Sequence, residues 1–162
     1  MVINNKLQLK LPPQKKLPKI KLSHLLLLQA TKIRRKLNLS LTEKCNLTLS
    51  EKEVLAQVYK HEGKIRMSDI SNKLLFTDGG TTKIIKRLAS RGLIKQERSN
   101  KDKRVIFIDI TSIGVNKLSD ALDTMVSVAC PLIEETFTLY ECKTLTKLLE
   151  KFENTIQYLQ TN

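Results

Sequence analysis

The chain has 162 residues, 41% of them hydrophobic, which is enough for one domain with a real core and short for two. Aromatics make up 4% and Trp is absent, so the core has to be aliphatic; no apolar run approaches the roughly 18 residues of a membrane span, which predicts no transmembrane helix. Twenty-nine Lys and Arg against sixteen Asp and Glu give a net charge of +13, a balance that points toward a polyanion partner.

That charge is uneven. Residues 1–40 hold ten basic residues and no acid, and residues 60–104 hold thirteen basic against five acidic. Residues 105–162 reverse the sign, with four against eight. A basic middle beside a mildly acidic end is the pattern of a binding face on a near-neutral scaffold.

Residues 1–20 carry three prolines and five lysines with no helical period, and read as a basic flexible arm. From Lys21 to Leu39, Leu22, Leu25, Leu26, Ile33 and Leu37 recur at helical spacing and predict a first helix. The apolar run Leu25–Leu28 within it is too short for a signal-peptide core, so a cytosolic protein is expected. Ser50 with Glu53 reads as a capping box opening a second helix that runs to His61 and buries Val54, Leu55 and Val58. A short third helix spans Met67–Leu75, with Ile70 and Leu74 inward.

A turn through Phe76 and Thr77 leads to a fourth helix, capped by Thr77 or Asp78 and ended by Gly92 after Ser90. Leu93–Arg98 and Arg104–Ile110 read as two strands around a polar tip, Ser99 to Lys103. Thr111 opens a fifth helix, predicted to run to Ala129 and stop at Pro131. Thr138 and Glu141 form a second capping box, and Leu145, Leu148, Leu149, Phe152, Ile156 and Leu159 give the sixth helix its apolar stripe.

Helix, turn, basic helix and hairpin in that order predict a mainly α (α+β) winged helix-turn-helix. The fourth helix keeps Ile84, Ile85 and Leu88 inward and projects Thr82, Lys83, Lys86 and Arg87. Such a helix can place short polar side chains at base edges while its cations meet phosphates. Gly79, Gly80 and Thr81 stand at its start, where small residues allow close approach and free amides favour a phosphate. The hairpin tip adds Arg98, Lys101, Lys103 and Arg104, placed for a phosphate or a minor groove.

These segments also carry a resemblance. LTLSEKEVL at 47–55, MSDISNKL at 67–74, GGTTKIIKRLASRGLI at 79–94, Asp102-Lys103-Arg104 and Ile110-Thr111-Ser112-Ile113-Gly114 together resemble the MarR-type (multiple antibiotic resistance) regulators. The resemblance implies a homodimer made by helices at residues 21–40 and 113–160 around a DNA-binding lobe at 47–112, with residues 21–162 as one domain. It implies that Thr81, Thr82, Lys83 and Lys86 face the major groove, and that Arg104 enters the minor groove while Asp102 holds it. It also implies a small aromatic effector or an oxidant as the signal.

The function expected from this is a sequence-specific regulator of the MarR type that binds double-stranded DNA, a repressor on a palindromic operator. The alternative is a winged-helix protein of plasmid replication, partition or DNA architecture. Cys45, Cys130 and Cys142 share no metal-ligand spacing and read as ordinary reduced thiols. Cys142 is the better redox candidate, because a helix N-terminus favours a thiolate. His24 and His61 are isolated, no phosphate-cradling loop or catalytic cluster appears, and no cofactor, enzyme activity or membrane partner is expected.

Overall fold

The structure is a computed structural model that describes residues 13–61, 63–74 and 77–161. The chain divides into two compact units, Met1–Arg35 and Lys36–Asn162. In the first unit, a single 3-10 turn, Gln14–Lys16, leads into helix α1, Leu17–Cys45. Four residues assigned to the arm, 17–20, are therefore helical. Pro18 falls in the first helical turn, where its missing N–H costs nothing, so proline here marks a helix start and not a loop. The arm's residues 1–12 lie outside the described residues, as do Leu75 and Phe76.

In the second unit, the end of α1 buries Leu37, Leu41 and Cys45. Helix α2 spans Leu49–Lys60. Its cap is Thr48, not Ser50: Thr48 Oγ1 accepts from the Glu51 amide at 3.2 Å, and Glu51 Oε2 accepts from the Thr48 amide at 2.7 Å. The sequence holds two overlapping capping-box patterns, and the earlier one wins because Leu47 and Leu49 are both buried. The Leu49 amide is also taken up, donating to Asn38 Oδ1 at 2.9 Å.

Strand β1, Ile65–Arg66, precedes α3, Met67–Leu74, and α4, Asp78–Ser90. Strands β2, Ile94–Arg98, and β3, Ile106–Ile110, form the hairpin. The sheet order is β1-β3-β2, antiparallel, with Ile65 opposite Ile108 and Ile94 opposite Ile110. The central Ile108 is fully buried, and with Val54, Leu55, Ile70, Ile85 and Leu88 it makes an aliphatic core under three helices. The two-residue β1 was not foreseen, being too short to show a period of two.

Helix α5 spans Ser112–Glu134 and α6 spans Leu139–Thr161. Pro131 does not stop α5, which continues through it. Ser127, whose carbonyl loses its amide partner, is exposed with Pro131, so water can take that bond. Thr138 and Glu141 cap α6 reciprocally, as the spacing predicts. The Thr138 amide, then its hydroxyl, hold the Glu141 carboxyl below its ordinary range.

The hairpin base is fastened to α5. Thr111 caps that helix by accepting from the Gly114 amide at 3.0 Å, and its hydroxyl donates to the Gly92 carbonyl at 2.7 Å. Gly92 sits at φ +68°, the left-handed conformation that ends α4 and that glycine adopts without strain. Gly114 is needed for space: a Cβ there would lie 2.1 Å from the Leu93 carbonyl oxygen. Among the described residues no helix is long and apolar enough to cross a membrane.

Candidate nucleic-acid interface

Helix α4 starts at Thr77, whose hydroxyl accepts from the Gly80 amide at 3.2 Å. A Cβ at Gly80 would press on that hydroxyl at 3.0 Å, so the second glycine serves the cap. At Gly79 a Cβ would meet nothing within 4 Å. The fold therefore makes no demand for glycine at 79, and the position is exposed.

Of the side chains assigned outward, Lys83, Lys86 and Arg87 are exposed and Thr82 is half-buried. Thr81 is not outward. It is fully buried, and Ser71 Oγ donates to its hydroxyl at 2.8 Å, joining α3 to α4 in the angle of the helix-turn-helix. Being next to two glycines made Thr81 look accessible. Its place on the same helical side as Ile85 and Leu88 puts it inside, since residues three to four apart share a face.

The exposed residues form two stripes at i, i+4 spacing. Thr82 and Lys86 face the hairpin across a hollow of about 350 Å³, whose walls include Met67, Gln96 and Arg98. An adjoining hollow of about 330 Å³ has Arg66, Ser68 and Arg104 on its rim. Helix α4 and the wing thus converge, with Lys86, Arg98, Arg66 and Arg104 around the groove between them. Arg66 and Ser68 were not anticipated, because the strand that places Arg66 is only two residues long.

The second stripe, Lys83, Arg87 and Arg91, runs toward α2. Arg87 Nε lies 3.3 Å from Glu51 Oε1, and Arg91 Nη1 lies 3.7 Å from the same oxygen. The sequence pattern offers Arg87 wholly to DNA, yet part of its guanidinium is committed to this carboxylate.

The wing tip is an ordered turn. Ser99 Oγ accepts from the Lys101 and Asp102 amides at 3.2 and 3.3 Å, and the Ser99 amide donates to the Val105 carbonyl at 3.0 Å. Asp102 does hold Arg104, but through the backbone: its Oδ1 accepts from the Arg104 amide at 2.9 Å. The expected carboxylate–guanidinium pair is replaced by a contact that shapes the turn, and Lys101, Asp102, Lys103 and Arg104 are all exposed. Strand β3 begins only at Ile106, so Arg104 belongs to the tip. Across the face of the sheet, over β3, Lys64 is bound to Glu97, whose hydrogen bond and charge raise the ammonium's pKa above its ordinary value.

The cysteines are scattered. Cys45 is buried with Sγ 3.2 Å from Thr124 Oγ1, Cys130 is exposed, and Cys142 is half-buried in the first turn of α6. Among the described residues, no three His, Cys, Asp or Glu side chains cluster in a way that could hold a metal ion.

SarU of Staphylococcus aureus, an HTH-type transcriptional regulator, is 30% identical over 86 residues, 52% of this chain and 35% of SarU. MhqR of Bacillus subtilis, also an HTH-type transcriptional regulator, is 32% identical over 92 residues, 52% of this chain and 63% of MhqR. The chain thus matches about a third of SarU and under two thirds of MhqR. In fold it is similar to Sco3205 of Streptomyces coelicolor, a MarR family transcriptional regulator solved in complex with DNA, with a TM-score of 0.76, 16% identity and 93% of each chain covered. Residues 36–121 match the family model described as "Transcriptional regulator SarA/Rot", which takes in α2 to β3 with the groove and wing just described. The chain belongs to the SarA/Rot family, whose members are transcriptional regulators and not enzymes, and it has the winged-helix fold of the MarR family structures.

Proposed function

We propose that this chain is a sequence-specific double-stranded DNA-binding regulator that acts as a homodimer on a palindromic operator, as a repressor. The observation that carries the reading is the groove between α4 and the wing, edged by Lys86, Arg98, Arg66 and Arg104 with Thr82 on its wall. Thr82 and Lys86 from this groove, with Lys83 on the neighbouring stripe of α4, enter the major groove, and Arg104 with Lys101 and Lys103 reaches a phosphate or the neighbouring minor groove. Gly79 and Gly80 bring the α4 N-terminus close to the backbone phosphates.

The dimer is supported by the C-terminal helices. Leu145, Leu148, Leu149, Phe152, Ile156 and Leu159 all stand exposed along α6 in the single chain. Burying each such side chain is worth about 1.5–3 kcal/mol, so an isolated chain leaves a large driving force unused. A two-fold pair of these helices would set two lobes on two half-sites of an inverted repeat. Repression needs only that the DNA be occupied. A small aromatic molecule taken into the groove lined by Met67, Ile85 and Ile106 would compete with that occupancy.

Footprinting on genomic DNA tests the reading. One short inverted repeat near a promoter is expected, with affinity falling on a log–log salt slope of roughly −5 to −9 for about 6–10 neutralised phosphates. Repeated arrays without a promoter would favour a replication, partition or architectural role, and an affinity insensitive to salt would refute DNA binding.

A further inference from the structure

The charged group with the least ordinary setting is Glu51. Its side chain is 1% exposed, and its two oxygens do separate work. Oε2 completes the α2 cap, accepting from the Thr48 amide at 2.7 Å and the Thr48 hydroxyl at 2.9 Å. Oε1 is buried without a hydrogen bond of normal geometry, and faces Arg87 Nε at 3.3 Å and Arg91 Nη1 at 3.7 Å. A capping box needs only the first oxygen. A buried carboxylate oxygen without full satisfaction is costly unless charges balance it. Here two guanidiniums meet one carboxylate, leaving a net positive cluster, and the Arg87 side chain is still 62% exposed.

We propose that Glu51 is a positioning residue for DNA binding: through Oε1 it fixes the Arg87 guanidinium so that the remaining N–H groups form a phosphate clamp beside Lys83. The proposal rests on the DNA-binding reading above. Arginine suits the role, because its planar fork can bond a carboxylate through one edge and a phosphate through another. Arg91, 27% exposed, seats the carboxylate from the C-cap of α4. Fixing the side chain before DNA arrives removes part of the entropy cost of immobilising it on binding.

Glu51→Gln gives a test in which two explanations predict opposite signs. Gln preserves the capping box but removes a negative charge near the DNA face. Charge alone predicts tighter binding, whereas loss of a positioned clamp predicts weaker binding. The assay is fluorescence anisotropy on a mixed-sequence duplex of about 30 base pairs, across a salt series, since phosphate contacts do not depend on sequence. We expect Glu51→Gln to weaken binding about threefold to tenfold and to lower the magnitude of the salt slope by up to about one per protomer. Arg87→Lys, which keeps the charge at an exposed site and cannot hold both partners, should show a similar loss, and the double variant should lose no more than either single one.

Equal or tighter binding by Glu51→Gln at every salt concentration overturns the proposal, as does full additivity in the double variant. Lys86→Gln separates this from failure of the DNA reading. If the native chain binds with a steep salt slope and Lys86→Gln weakens it while Glu51→Gln does not, only the positioning role falls. Circular dichroism melts on each variant report folding independently, and Arg87→Lys carries the test if Glu51→Gln does not fold.

Discussion

Replacing Thr81 with valine keeps the size and branching of a wholly buried side chain and deletes one hydroxyl. In the native molecule that hydroxyl accepts from Ser71 Oγ at 2.8 Å, tying α3 to α4. A neutral hydrogen bond of this kind contributes about 0.5–1.5 kcal/mol net, and a stranded buried partner adds to the loss. Ser71 has a second acceptor, the Met67 carbonyl at 3.4 Å, so the stranding is partial. The expected cost is therefore ~1 kcal/mol, which in a domain of this size lowers Tm by about 3–5 °C. Thermal melts measure that shift, and competition among base-substituted duplexes measures preference. Thr81→Val should move the first and leave the second alone. Thr82→Ala, at the groove wall, should do the reverse. A Thr81→Val variant with native Tm and a changed base preference would show that this side chain reaches DNA, and would refute the inward assignment.

Three other outcomes can be checked as directly. Gly114→Ala places a Cβ 2.1 Å from the Leu93 carbonyl oxygen, and the overpacking should cost about 1–3 kcal/mol or more in urea unfolding; unchanged stability would mean that α5 does not press on the hairpin base. Leu149→Asp with Phe152→Asp puts charge on the exposed α6 stripe and should give monomers in sedimentation velocity with helix content retained; a surviving dimer would place the interface elsewhere. Because Thr138 lowers the Glu141 pKa, the cap's contribution is complete above the ordinary carboxylate range and fades as pH falls through the lowered folded value. Thr138→Ala removes the hydroxyl bond and keeps the amide bond, so Glu141 should return only part of the way toward its ordinary value in an NMR titration, and an unmoved carboxyl would leave the Thr138 amide as the whole cause.

What the sequence revealed and what it hid follow from the range of each interaction. Helix periods and Gly92 are local signals, and they placed α4, the hairpin and α6 close to where they lie. The cap of α2 was misplaced by two residues, because Thr48–Glu51 and Ser50–Glu53 satisfy the same local rule. Only the burial of Leu47 and Leu49, a tertiary fact, chooses between them. Arg66 was invisible as part of the groove, since a two-residue strand exists only by pairing with Phe107 and Ile108. Glu51 and Arg87 lie far apart in the chain, and nothing short of the α2–α4 packing brings them to 3.3 Å. The Asp102–Arg104 relation was right in partners and wrong in atoms, because a carboxylate two residues before an amide closes on the backbone more readily than on a long side chain.

The fastening of the wing to α5 bears on how such a lobe could be controlled. Strand β3 ends at Ile110, and the next residue, Thr111, already caps α5 while bonding back to Gly92 at the end of α4. Leu118 and Ala121, further along α5, belong to the same core as Ile85 and Leu88 on α4. Gly114, in the first turn of α5, lies directly against the Leu93 backbone between α4 and the hairpin. Close-packed interiors pass displacement on without absorbing it. A displacement of the α5 N-terminus would therefore carry the end of α4 and the hairpin base with it. Control through α5 would change the separation of two lobes in a dimer and leave the reading surface of each lobe as it is. The ordered tip, closed by Ser99 and Asp102, and the Ser71–Thr81 bond in the helix-turn-helix corner would hold that surface in shape if the lobe were displaced.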